Sequence, residues 1–264
     1  VLDLAQSLSG RKGRFASTLT KTFTDSEVTL AALDQAREFL AGVTEHDTLV
    51  MFIAGHGARD TDAAHTYYYL DHDVRTDDLV GTAIAFDQIE DLLYEAKARQ
   101  KLFLIDTCQS GDDVDLTTLT APLGNARGLR ARSVRGFVAK KGVTLGEGGP
   151  AAERRAALWI DALRNRDRLI HQDLRRRSGA MVLASSLGQE SSLETDDWRN
   201  GAFTEELLRA LQTDAADANH DGMVDTDELE AHVISAVPLL TGGRQHPSVE
   251  RDNPLQRFAL PLAP

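Results

Sequence analysis

Leu102-Phe103-Leu104-Ile105-Asp106-Thr107-Cys108-Gln109-Ser110-Gly111 is the stretch on which the fold turns. Four apolar residues in an unbroken run read as a strand buried on both faces, the signature of a parallel strand covered by helices. The run ends in a polar, glycine-closed segment that carries the only cysteine of the chain. Upstream, Leu49-Val50-Met51-Phe52-Ile53-Ala54 has the same character and ends in Gly55-His56-Gly57. Downstream, Met181-Val182-Leu183-Ala184 leads into Ser185-Ser186-Leu187-Gly188-Gln189-Glu190. Three such runs, each ending in a polar loop, predict one sheet whose loops converge at a single edge.

The intervening segments supply the helices. Leu30, Leu33, Ala36, Phe39 and Leu40 recur at helical spacing, with Asp25 or Ser26 as the expected N-cap. Ile89, Leu92 and Leu93 predict a helix over 86–98, and further helices are expected over 151–165, 203–211 and 226–237. Residues 15–23 alternate Ser and Thr with apolar side chains as a strand does, and short strands are expected at 67–70 and 258–260. The alternation predicts an α/β fold with a mostly parallel central sheet.

The 264 residues are 42% apolar and 27% charged, which suits one globular domain. A net charge of −12 argues against nucleic acid as a partner, because phosphate recognition needs a clustered basic face. The charge is uneven: residues 124–178 hold 14 Lys and Arg against 5 Asp and Glu, about +9, so the rest carries about −21. A single cysteine allows no internal disulfide, so a reducing cytoplasm is the expected compartment. No apolar run approaches a membrane span and no signal-peptide pattern opens the chain, so no membrane partner is expected. Val1 lies inside a helical pattern, and residues are expected to precede it.

Functional residues of parallel α/β sheets sit at the carboxyl ends of strands. His56 and Cys108 each follow such a strand, so the topology brings them together across 52 positions. An imidazole beside a thiol lowers the thiol pKa and can protonate a leaving amine, which makes Cys108 a candidate nucleophile and His56 its acid/base partner. The backbone N–H groups of Gly57 and Cys108 are candidates for binding an oxyanion. Taken singly, a cysteine after a strand can be a buried core residue and a His-Gly pair a turn. No G-x-S-x-G elbow offers a serine alternative.

The two blocks ending in Gly55-His56-Gly57 and Asp106-Thr107-Cys108-Gln109-Ser110-Gly111 resemble the catalytic motifs of the caspase-like cysteine peptidases, especially the bacterial metacaspase type. Gly201-Ala202-Phe203-Thr204-Glu205-Glu206-Leu207-Leu208 is similar to a downstream helix of those proteins, and Gly243-Arg244-Gln245-His246-Pro247 to a near-terminal segment. The resemblance implies a caspase-like three-layer sandwich over 1–264. It comprises a large-subunit-like part over 1–111, an Arg-rich linker over 112–178 and a small-subunit-like part over 179–264. The strand that opens the family's domain has no counterpart at the start of this chain. Asp106 departs from the Gln-Ala-Cys of true caspases and matches metacaspases. It implies an S1 pocket that takes Arg or Lys at P1, by charge-assisted bonds to the carboxylate. Asp106 as a cap of the turn backbone is the alternative. Ser185, Ser186 and Glu190 are further candidates for the pocket wall.

The expected activity is a cysteine endopeptidase acting on protein or peptide substrates after Arg or Lys. Self-processing is expected in the linker, at Arg127, Arg130, Arg132, Arg135, Arg154, Arg155 or the run Arg175-Arg176-Arg177. Alternatives are a catalytically silent caspase-like scaffold and a related peptidase specific for Asp or Asn. An upstream domain or regulatory partner protein completes the candidate partners.

Residues 217–228 match the calcium-loop pattern D-x-[DN]-x-[DN]-G-x5-E. Asp217, Asn219, Asp221, the backbone carbonyl of Met223 and Glu228 would supply oxygens to Ca2+, with Gly222 at the sharp turn. A helix-capping turn without metal fits the same letters. His46, His65, His72, His171, His232 and His246 show no metal-ligand spacing among themselves, and Trp159 and Trp198 read as packing residues.

Overall fold

The computed structural model describes residues 1–9, 15–59, 67–75, 78–110, 130–131, 178–187, 190, 192–195, 198–251, 253 and 255–262, with 58–59, 108–110 and 130–131 described through their backbone alone. The elements run α1 (Leu2–Leu8), α2 (Leu30–Leu40), β1 (Thr48–Arg59), β2 (Tyr67–Leu70), α3 (Leu79–Thr82), β3 (Ile84–Ala85), α4 (Phe86–Glu95) and β4 (Gln100–Ser110). They continue as β5 (Arg130–Ala131), β6 (Met181–Ala184), β7 (Leu193–Glu194), α5 (Ala202–Gln212), β8 (Met223–Asp225), α6 (Thr226–Thr241), β9 (Ser248–Glu250) and β10 (Ala259–Pro261). Six strands form the main sheet in the order β3-β2-β1-β4-β6-β9. Its centre, β1·β4·β6, is parallel, and β2, β3 and β9 join antiparallel at the two sides.

The pleat sorts the side chains into two cores. Leu102, Leu104, Met181 and Leu183 pack with Leu4 of α1, Phe203, Leu207 and Leu211 of α5, and Val233 and Val237 of α6. Phe103, Ile105, Val182 and Ala184 pack on the opposite face with Leu40 of α2 and Phe86, Ile89 and Leu93 of α4. The central strands are therefore apolar at consecutive positions because each face has its own helical layer, which gives the three-layer α/β sandwich.

Three local expectations change. Residues 15–23 form no strand: they pair with none of the strands among the described residues, and alternation alone does not make a strand without a neighbour to pair with. Asp25 does not cap α2: Asp25–Glu27 is a 3-10 turn closed by the Thr24–Glu27 capping box, and Thr29 occupies the N-cap. The helix expected to end at 237 runs to Thr241 through Pro238, and stops at Gly242 in the left-handed region. The helix expected over 151–165 lies outside the described residues.

At the amino-terminal end of the sheet, the buried Lys101 Nζ donates to Leu93 O at 2.6 Å and to Ser178 O at 3.1 Å. Burial pushes its pKa below the usual lysine range. The contact ties the end of α4 and the segment entering β6 to the foot of β4. Among the described residues, no helix is long and apolar enough to cross a membrane.

Candidate active site at the carboxyl edge of the sheet

Strands β1 and β4 run parallel and in register from Thr48↔Gln100 to Ala58↔Ser110, and this ladder sets His56 opposite Cys108. Adjacent strands lie about 4.8 Å apart, so the two backbones are immediate neighbours. The register follows from the apolar runs: a slip by one residue would turn Phe52 and Leu104 out of the α5 core and lose it. Strand β6 is shorter. Its last ladder pair with β4 is Ile105↔Ala184, after which Ser185 N donates to Ile105 O at 2.8 Å and the chain turns away. Positions 106–110 of β4 thus extend beyond the last β6 ladder pair, at the carboxyl edge where parallel α/β sheets place their functional residues.

Leu102 and Leu104 face α5, and Asp106 continues their parity. Its carboxylate is 0% exposed and accepts a hydrogen bond from Thr204 Oγ1, in the first turn of α5, at 2.6 Å. Position 108 has the same parity on β4, as does His56 beside Val50 and Phe52 on β1. The His56 ring is half-buried with Nδ1 shut off from solvent. One face of the sheet therefore carries the three positions His56, Asp106 and Cys108.

The other face braces this edge. Tyr67 Oη lies 3.0 Å from Thr107 Oγ1, and its ring packs edge-on against Phe86. A Cβ at Gly57 would fall 1.8 Å from Tyr67 Oη, so only glycine lets the tyrosine cross over to Thr107. Tyr69 Oη likewise reaches over Gly55 to donate to Ala54 O at 2.9 Å. The glycines flanking His56 are thus seats for two tyrosines as well as neighbours of the ladder.

Ser185 and Ser186 are 1% and 2% exposed. Their hydroxyls serve the loop that leaves β6: Ser185 Oγ lies 2.5 Å from Ser192 Oγ, and Ser186 Oγ donates to Glu190 O at 3.0 Å. The Glu190 carboxylate accepts from His246 N at 2.6 Å and pairs with His246 Nδ1 at 2.8 Å. Gln245, fully buried, joins the same loop from the other side. Its Nε2 donates to Ser185 O at 2.8 Å and its Oε1 accepts from Leu193 N at 2.8 Å. Sequence reasoning missed Thr204 and Gln245 as individual residues, although both lie in segments whose resemblance was legible. We expect Gln245→Ala to lower stability by about 3 kcal/mol, because it strands two buried backbone groups. That corresponds to a melting temperature about 6–12 °C lower. Thermal and denaturant unfolding check this, and a loss below about 1 kcal/mol would contradict it.

In the 217–228 loop the carboxylates serve backbone N–H groups. Asp217 accepts from Asp221 N at 3.1 Å and Gly222 N at 2.9 Å, and Asp221 Oδ1 accepts from Met223 N at 2.9 Å. Glu228 accepts from Ala218 N, Asn219 N and Asp225 N at 3.1, 3.3 and 2.9 Å. Asn219 Oδ1 accepts from Asp221 N at 2.9 Å. Among the described residues no three His, Cys, Asp or Glu side chains converge as a metal centre. β8, inside the loop, pairs with β10, and α6 leaves the loop to pack on α5, where His232 Nε2 meets Glu206 Oε2 at 2.9 Å.

The model of the caspase domain matches residues 4–259 of this chain. A solved structure, the crystal structure of a Geobacter sulfurreducens protein, is similar over 96% of this chain and 83% of its own. Its identity is 17% and its TM-score 0.54, a likeness of fold. No curated protein matches.

Proposed function

The chain belongs to the caspase-domain family, and from that premise we propose that it is a cysteine endopeptidase that cuts after Arg or Lys. The observation that carries this reading is the His56↔Cys108 pair in the β1·β4 ladder, at the open carboxyl edge. In this reading the Cys108 thiolate attacks the scissile carbonyl and forms a tetrahedral oxyanion. The backbone N–H groups of Gly57 and Cys108 bind that oxyanion, and His56 delivers a proton to the leaving amine. Water then hydrolyses the thioester and frees the thiol. Asp106 supplies the negative charge that selects a basic P1 side chain, with Ser185, Ser186 and Glu190 holding the adjoining loop in place. The reduced thiol this chemistry needs suits a cytoplasmic setting.

The test is a matched set of fluorogenic peptides bearing Arg, Lys, Asp or Asn at P1. Hydrolysis confined to Arg and Lys supports the reading. Hydrolysis after Asp or Asn transfers it to the other specificity, and none at all to the scaffold. The proposed self-processing sites, Arg127 to Arg177, lie outside the described residues except Arg130, which sits in β5 opposite Glu194 of β7.

We propose further that the 217–228 loop takes Ca2+ through Asp217, Asn219, Asp221, the Met223 carbonyl and Glu228. The ion would replace backbone N–H groups as the partner of these oxygens. Calcium at about 100 times its Kd is expected to add about 2.7 kcal/mol to stability, or about 5–10 °C in melting temperature. Glu228→Gln should remove that gain. An identical melting curve in calcium and in chelator would leave the loop a self-capped turn.

A further inference from the structure

We infer that Thr204 is a positioning residue for P1 recognition, holding the Asp106 carboxylate in a fixed orientation. This rests on the reading of Asp106 as the S1 carboxylate. Asp106 is the first β4 residue beyond the last β4·β6 ladder pair, Ile105↔Ala184. Its side chain is wholly buried, so its orientation depends on protein partners rather than on water. The Thr204 hydroxyl donates to Oδ2 at 2.6 Å, the short distance of a hydrogen bond to a charged acceptor.

Thr204 is itself 3% exposed, so water does not compete for the contact. Its place in the first turn of the eleven-residue α5 adds the favourable end of a helix dipole beside the anion. With Oδ2 held by Thr204, the carboxylate cannot rotate freely, and a basic P1 side chain would meet it in one orientation. The bond also ties the charge that selects the substrate to the helix packed under the sheet. Phe203 and Leu207, buried on either side of Thr204, keep that helix in place.

The experiment compares wild type, Thr204→Val and Thr204→Ser on peptides with P1 Arg and with neutral P1 citrulline. Alkylation of the single Cys108 by iodoacetamide runs alongside as a readout independent of P1. Thr204→Val is expected to lower kcat/KM for the Arg peptide about 10- to 100-fold, the span of one hydrogen bond to a charged group. The loss should appear mainly in KM. It should be accompanied by an unchanged alkylation rate and recovery in Thr204→Ser. Equal losses for both peptides, slowed alkylation, or a serine variant as poor as the valine one would overturn the inference. If Thr204→Val does not fold, Thr204→Ala carries the same expectation and the same refutation. Wild type that leaves the Arg peptide intact while cutting another sinks the specificity reading and this inference with it. Wild-type Arg cleavage retained in Thr204→Val sinks this inference alone.

Discussion

Cys108→Ala is expected to abolish peptide hydrolysis, with kcat falling by about 10⁴-fold or more, on the scale of nucleophile removal in a serine peptidase. The same variant should remain a single chain on purification if the wild type is cut within 112–178. Position 108 lies on the backbone ladder beside His56, so alanine leaves β4 and its register intact, and loss of activity reports chemistry rather than unfolding. His56→Ala should cost about 10²- to 10⁴-fold, the contribution of a positioned acid/base group. Steady-state assays and intact mass measurement check both. Residual turnover in Cys108→Ala near the wild-type rate, or continued fragmentation in the absence of other proteases, would remove the cysteine from the mechanism.

Asp106→Asn should separate recognition from chemistry. The amide has nearly the same volume, and its oxygen can still accept from Thr204, so the packing and that contact are kept. What disappears is the charge. We expect kcat/KM for P1 Arg and Lys to fall about 10²- to 10³-fold, the cost of truncating one side of an enclosed charge pair. Alkylation of Cys108 should proceed as before. A loss that is equal for charged and neutral P1 peptides would mean that Asp106 supports the fold alone, as a cap under α5.

The parts of this architecture legible in the sequence are those whose environment is uniform along the chain. The runs at 49–54, 102–105 and 181–184 announce themselves because both faces are covered, and a doubly covered strand has no polar positions to interrupt it. His56 and Cys108 were legible from the ends of those runs, since a parallel sheet brings such ends to one edge. Thr204 and Gln245 were not. Their partners lie 98 and 60 positions away, and a single hydroxyl or amide in a buried contact leaves no period to detect. β9 and β8, three residues each, are held by their neighbours rather than by any alternation of their own. Residues 15–23 illustrate the converse, a strand-like alternation that pairs with no strand among the described residues. The acidic loop was legible as a pattern, but the same oxygens at the same spacing can grip a cation or their own backbone.

The Lys101 clamp and the β4·β6 ladder bear on what would happen if a peptide bond within 112–178 were broken. The amino-terminal piece would keep β1 and β4, and the carboxyl-terminal piece β6, α5 and α6. The strands remain zipped from Leu102↔Met181 to Ile105↔Ala184, Lys101 still grips Ser178, and the two cores still interleave side chains from both pieces. A severed chain would therefore behave as a non-covalent heterodimer born from one gene product. It would travel as one particle in native buffer and come apart only in denaturant, because a lone cysteine can form no internal disulfide to join the halves.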